Sequence, residues 1–434
     1  MASAAPDLEE YRRGAEELLD APGPAADERL AHLFVPEAVS GLRAQGAAEL
    51  ARFAAEGLLR RASADEMAAA RARLGEPVVE GPAGPLALSE VDVALAAEPD
   101  RDRRRALQGA RLRALESRLG PLLADARQHR EEAAAAAGAP SPQALLAEAA
   151  GLDLATVAAA GAGLLDATED AAAPALDRAA AAALGDSAAP EAADLPRIVR
   201  APQIEGELPS SGALAAAARA MELLGLELRG GPPSPASGRE GLALWLETLG
   251  ALGAGLAAAG ASPRLPVERR RLADPALARA AGLLFESLPA DPAWLARAAG
   301  VRDVEAAAGA AAVARMLGVR AAAARSVGLA GGADEDLMSR AVGVPWPAAL
   351  SMADGLAGLA AADELRAAAL AAALRARLRE DHGPRWFADP AAGGFLRELW
   401  LEGGVLEPEA LARELGAPGL DPEPLAAELA GPAR

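Results

Sequence analysis

The sequence predicts an all-α protein, an elongated multi-helix assembly with little or no β-sheet, and two observations carry that expectation. Hydrophobic residues make up 52% of the 434 residues but aromatics only 3%. The apolar content therefore rests on Ala and Leu, strong helix formers that allow close helix packing. The apolar residues also recur at steps of three and four, the spacing of one helix face. The length suffices for one large or two to three ordinary domains.

Taken in order, segments 8–19, 26–44 and 47–74 read as helices, closed by Gly75 and Pro77. The run from Pro77 to Pro85 reads as a loop with one short strand at Val78-Val79. A long helix follows over 100–137, with Leu107, Leu112, Leu115, Leu119, Leu122 and Leu123 on its apolar side. A kink is expected at Gly120-Pro121 and a stop at Gly138 and Pro140. Further helices are expected over 142–150, over 153–184 with a break near Pro174, and over 211–228. The one clear composition break is Gly230 to Gly238, GGPPSPASG, which suits neither helix nor strand. It divides the chain into an N-terminal helical half, 1–229, and a C-terminal helical half, 239–434, joined by a linker or loop at 230–238. Beyond it, helices are punctuated by Pro263, Pro266, Pro275, Pro292, Gly331-Gly332 and Pro345/Pro347, with helical stretches over 351–379 and 390–429. No fixed-period repeat is present.

Composition excludes several classes. The 62 acidic residues outnumber 43 basic ones, for a net charge of −19, and the charges are interspersed. That argues against nucleic acid or an anionic membrane as partner. The absence of Cys rules out disulfides and thiolate chemistry and is consistent with a reducing compartment. The N-terminal residues MASAAPDLEEYRR carry acids where a secretory signal carries bases. The apolar stretch 242–261 is interrupted by Glu247 and several Gly. These features lead us to expect a soluble cytoplasmic protein.

Catalytic motifs are sparse. His32, His129 and His382 are far apart in sequence, and none has a partner at metal-ligand spacing. No GxSxG, Walker loop or strand-borne GxGxxG occurs, and Tyr11 is the only tyrosine. One helix stands out, Gly241 to Leu256. Its apolar residues Leu242, Trp245, Leu246, Leu249, Leu252 and Leu256 form one stripe, and Glu247 is its only charge. A zinc-peptidase helix would place His on both sides of such a Glu, as HExxH. Here the frame reads Leu246-Glu247-Thr248-Leu249-Gly250.

Three long segments carry a resemblance: Leu95 to Asp170, Asp194 to Leu228, and Leu374 to Leu429, the last including HGPRWFADPAAGGFLRELW and DPEPLAAEL. In order and spacing they resemble the thimet oligopeptidase and oligoendopeptidase F class of zinc metallopeptidases, and the chain looks like a degenerate member of it. The resemblance implies a zincin-type scaffold and places the family's site on this chain residue by residue. Leu246 and Gly250 stand where the two His ligands would be, and Glu247 stands at the general base. Arg279, within LPVERRRLADPALARAAGLLFESL, stands at the third ligand. Ala360 and Glu364, within GLAAADELR, stand at the expected tyrosines. The strands preceding the family's zinc helix are expected to be missing, with Gly230 to Gly238 in their place.

A catalytic zinc needs three protein ligands and an oxyanion donor. The resemblance therefore implies a pseudo-metallopeptidase without zinc or other cofactor, a scaffold whose cleft takes a peptide or partner protein. The alternative is a residual oligopeptidase using another arrangement. The cleft is expected between the N-terminal half and the part after Gly230. Loss of zinc also leads us to expect that Arg279 pairs with Glu247, directly or through one water, with Leu246 packed into the space of the first His; the alternative is that Arg279 snorkels to solvent along its helix.

Overall fold

The computed structural model describes residues 6–81, 84–185, 189–229, 231–233, 238–331, 335–419 and 421–431. The chain is built almost wholly of helices, and the described β structure is one antiparallel hairpin. Its strands, β1 (Pro77–Gly81) and β2 (Gly84–Ala87), turn the expected single strand at Val78-Val79 into a pair. Val79 is fully buried there with Leu88, Val91 and Leu95, and Val78 and Leu86 pack against the same core, so packing on that core holds strands too short to stand alone. No strand lies among the described residues between Leu224 and Gly241, although Gly230 and residues 234–237 of the expected linker fall outside the described residues.

Six helices organise the rest: α1 (Leu154–Leu184), α2 (Gly241–Gly260), α3 (Pro275–Glu286), α4 (Val304–Leu329), α5 (Ala360–His382) and α6 (Glu423–Ala430). Two expectations need correction here. Helix α1 runs unbroken through Pro174. Pro174 is exposed, while Leu164, Leu165 and Thr168 before it and Leu176, Ala180 and Ala183 after it are buried on one side. Packing on both flanks offsets the lost backbone bond. At Gly120-Pro121, where a kink is expected within one long helix, the helix is continuous but irregular. A π turn at Leu115–Leu119 joins Arg101–Ala114 to Gly120–Ala136, and its wider i→i+5 bonding accommodates a proline that lacks an N–H. The expected helix over 211–228 ends earlier, at Leu224, where Gly225 takes the left-handed conformation at φ 61°.

The main core runs from Val157 to Ala426 and draws on α1 to α6 together. A second core gathers Tyr11 to Ala149 with Val267 and Leu359, and a third gathers Ala70 to Leu123 with Ala193. Helix pairs in the main core approach through small residues. A side chain at Gly253 of α2 would strike the Ala281 carbonyl of α3. One at Gly161 of α1 would meet the Ala323 carbonyl of α4 at 2.8 Å. By length and composition α2 and α4 are apolar enough to cross a membrane, and Pro142–Ala150 with α1, bent by 101°, passes the same test. In the fold, Leu242, Trp245, Leu249, Leu252 and Leu256 of α2 face the main core.

Arginine ion pairs tie early helices to late ones and late segments to one another. Arg52 donates to Asp363 at 2.7 Å, and Arg12 Nε to Glu268 at 2.9 Å. Arg269 reaches Glu49 at 2.5 Å. Arg366, 4% exposed, lies 2.7 Å from Asp274 and donates to Glu409 at 2.6 Å.

Candidate functional site

Helix α2 begins where the Gly241 N–H donates to Ser210 Oγ at 2.9 Å, and it is anchored by Trp245 Nε1 donating to the Pro209 carbonyl at 2.9 Å. Glu247 lies on its partly exposed side. The side-chain nitrogen Nε of Arg239, just before the helix, lies 3.8 Å from Glu247 Oε2. Leu246 is half-buried and packs against the main core.

The direct pair of Arg279 on α3 with Glu247 that the sequence leads us to expect is not formed; Arg279 pairs elsewhere. Its Nε donates to Glu364 Oε2 at 2.6 Å and its Nη2 to Glu364 Oε1 at 2.8 Å, a bidentate clasp from α3 to α5. On the other side its Nη1 donates to Glu286 Oε1 at 2.5 Å and its Nη2 to Glu286 Oε2 at 3.3 Å. The reason is local. Arg279 and Glu286 are seven residues apart, two turns on one face of α3, and this face meets the first turn of α5.

The hollow for Glu286 is made by α2. A Cβ at Gly250 would collide with the Glu286 carboxylate, so the position that resembles the second His ligand is filled from α3. At Gly282 a Cβ would stand 3.0 Å from the Gly250 carbonyl, which keeps α2 and α3 close enough for the arrangement. Glu286 was not singled out in the sequence. Its signal was the two-turn spacing from Arg279.

Burial opposes the charge on Arg279, but the hydrogen bonds to Glu364 and the charge and hydrogen bonds of Glu286 outweigh it and hold its pKa above the ordinary value. Burial raises the pKa of Glu286, which Arg279 partly counters.

Ala360 opens α5, and Glu364 follows one turn later; both, with Ala361, line a cavity of about 1070 Å³. Its other walls are Arg127, Ser141 and Gln143 from before residue 230 and a face of α4 with Gly318, Ala322 and Arg325. The cleft thus joins the two halves of the chain. A smaller cavity of about 260 Å³ is lined by Arg111, Arg200, Arg239, Glu240 and Trp346. The segment 346–352 lies between the two, pinned by Trp346 Nε1 donating to Ser351 Oγ at 3.1 Å.

The chemistry of the donor set decides whether zinc fits. Leu246 and Gly250 offer no side-chain lone pair, Arg279 brings a cation, and the carboxylates paired with it already accept its hydrogen bonds. Among the described residues no group of three or more His, Cys, Asp or Glu gathers as metal ligands would. These residues do not fit zinc. The three histidines lie apart and each meets a carboxylate: His32 with Glu10 at 3.0 Å, His129 with Glu66 at 3.2 Å and His382 with Asp389 at 3.0 Å. The Tyr11 hydroxyl donates to the Leu33 carbonyl at 3.1 Å inside the second core.

Solved structures similar to this chain include proteins assigned as peptidases. A protein assigned as oligoendopeptidase F aligns over 99% of this chain and 96% of its own, with TM-score 0.59 and 12% identity. The chain has the oligoendopeptidase F fold. PZ peptidase A, solved with an inhibitor, matches at TM-score 0.55 and 11% identity over 97% of this chain and 95% of its own. A protein from Bacillus anthracis assigned as oligoendopeptidase F matches at TM-score 0.53 and 12% identity, over 96% of this chain and 80% of its own. No protein-family model and no curated protein sequence matches the chain. What it shares with the oligoendopeptidase F structures is the helical scaffold along nearly its whole length.

Proposed function

We propose that this chain is a non-catalytic member of the oligoendopeptidase F fold, a soluble cytoplasmic protein without zinc whose cleft binds a peptide. The observation that carries the reading is Arg279, held between Glu364 at 2.6 Å and Glu286 at 2.5 Å beside the cavity. The resemblance puts a zinc ligand at Arg279. A guanidinium bridging two helices supplies the cross-link there without a metal, and it cannot supply the electrophile that polarises a peptide carbonyl. The cavity supports a binding role, being large enough for a ligand of several residues and lined by residues from both halves of the chain. The acidic, interspersed surface supports a partner other than nucleic acid or a membrane.

Two measurements test the proposal. Metal analysis of the purified protein is expected to find less than stoichiometric zinc, and quenched-fluorescent peptides are expected to stay uncleaved with zinc added. Stoichiometric zinc that disappears in Glu247→Ala, or metal-dependent cleavage, would overturn it.

A further inference from the structure

Among the described residues, Arg127, Arg325, Asp354 and Glu364 are the charged residues that line the large cavity. Arg325 Nε lies 3.2 Å from Asp354 Oδ2, and Arg127 Nη2 donates to the Met352 carbonyl at 3.0 Å. Glu364 is likewise held, since its two oxygens each accept one hydrogen bond from Arg279, and with about four acceptor sites a carboxylate keeps lone pairs for a ligand. It lines the cavity, whereas Glu286 is seated against Gly250.

Glu364 is also the negative end of a series of alternating charges. Arg279 follows it, then Glu286, which feels Arg315. Arg315 donates to Glu428 at 2.6 Å, and Arg375 donates to Glu428 at 2.5 Å from the far side. Each inner charge is flanked by two of opposite sign. The terminal Arg375 is 2% exposed, so the end that meets the cavity is a carboxylate. Around it the wall is small, with Ala360 and Ala361 beside it and Gly318 and Ala322 on α4. Such a wall leaves room for a long aliphatic stem with a charged tip. The net charge of −19 adds a long-range attraction for cations.

Resting on the reading that the cleft takes a peptide, we infer that the cavity selects peptides with a basic side chain, Lys or Arg, whose cationic tip hydrogen-bonds to the Glu364 carboxylate. The test is fluorescence anisotropy on the full chain with three capped alanine pentapeptides that differ only in a central Lys, Gln or Glu, each carrying the same neutral dye. The Lys peptide is expected to bind about tenfold or more tightly than the Gln peptide, the scale of a charge-assisted hydrogen bond. In Glu364→Gln that ratio is expected to fall to about twofold or less, while Glu364→Asp, which keeps the charge, retains a preference.

Gln or Glu peptides that bind wild type as well as the Lys peptide would overturn the basic selectivity and leave peptide binding standing. A Lys preference that survives intact in Glu364→Gln would overturn the assignment to Glu364. If no peptide binds saturably, both this inference and the peptide-binding reading fail. The wild-type comparison decides the selectivity even where Glu364→Gln does not fold.

Discussion

Arg279 has a guanidinium shared by two carboxylates, and removing it leaves both of them partly buried, Glu364 without that partner and Glu286 with only the charge of Arg315. Breaking such a cluster from one side costs more than dissolving it, because unpaired charge remains in a poorly solvated place. Arg279→Met is expected to lower unfolding free energy by about 3–5 kcal/mol in urea titrations, and the triple variant with Glu286→Gln and Glu364→Gln to recover most of that. An additive triple variant would show that the three do not act as a unit. Glu428 gives a pH prediction. Burial works to raise its pKa, but the charges of Arg375 and Arg315 prevail and hold it down to about 2, against an ordinary 4.5. A depressed carboxylate stabilises the fold above its ordinary value and loses that contribution as pH falls through its folded value. Stability on the order of 3 kcal/mol is therefore expected to disappear between about pH 4.5 and pH 2. Glu428→Gln should flatten that part of the stability–pH curve.

Helix α2 meets α3 through glycine, and the two faces of α2 respond differently to a methyl group. At Gly253 a Cβ would run into the Ala281 backbone, which has no side chain to swing aside, while at Gly255 the nearest atom is Leu228 Cδ2 at 3.6 Å. Gly253→Ala is expected to destabilise by about 1–3 kcal/mol through overpacking. Gly255→Ala should stabilise by up to about 1 kcal/mol through helix propensity. Thermal unfolding of the pair checks this, and equal effects would mean that the helices do not touch as described. The sequence shows α2 as an apolar stripe, and that stripe is the buried face. Which of its glycines are contacts and which are idle was invisible, because glycine spacing says nothing about the partner helix.

At the scale of the whole molecule, ion pairs link elements far apart in sequence. Arg52, 11% exposed at its side chain, reaches Asp363 at 2.7 Å, and Asp363 lies at the start of α5 beside Arg366. Burial raises the pKa of Asp363, and Arg52 is the first group to counter it. Arg52→Met is expected to cost about 3 kcal/mol or more. It should also raise amide exchange across Ala48–Ala62 and the first turns of α5, in hydrogen-exchange mass spectrometry. An exchange pattern changed only at Ala48–Ala62 would show that this pair does not couple the two regions.

Helical architecture was legible in the sequence because it follows from local causes. Ala and Leu at steps of three and four, closed by Gly and Pro, favour a helix whatever the rest of the chain does. The resemblance to the thimet oligopeptidase and oligoendopeptidase F class, rather than local reasoning, marked Leu246, Glu247, Gly250, Arg279, Ala360 and Glu364 as positions of interest, and the fold brings Gly250, Arg279 and Glu364 to one place with Ala360 on the adjoining cavity wall. Local reasoning misjudged Pro174, where packing on both flanks carries the helix through, while the helix becomes irregular, with a π turn, next to Gly120-Pro121. Tertiary structure alone decided the partner of Arg279. A long flexible cation reaches several carboxylates, and its choice depends on which helix faces it and which neighbour leaves a hollow. Here Gly250 leaves that hollow to Glu286 and the first turn of α5 presents Glu364, while Glu247 on α2 has Arg239 beside it.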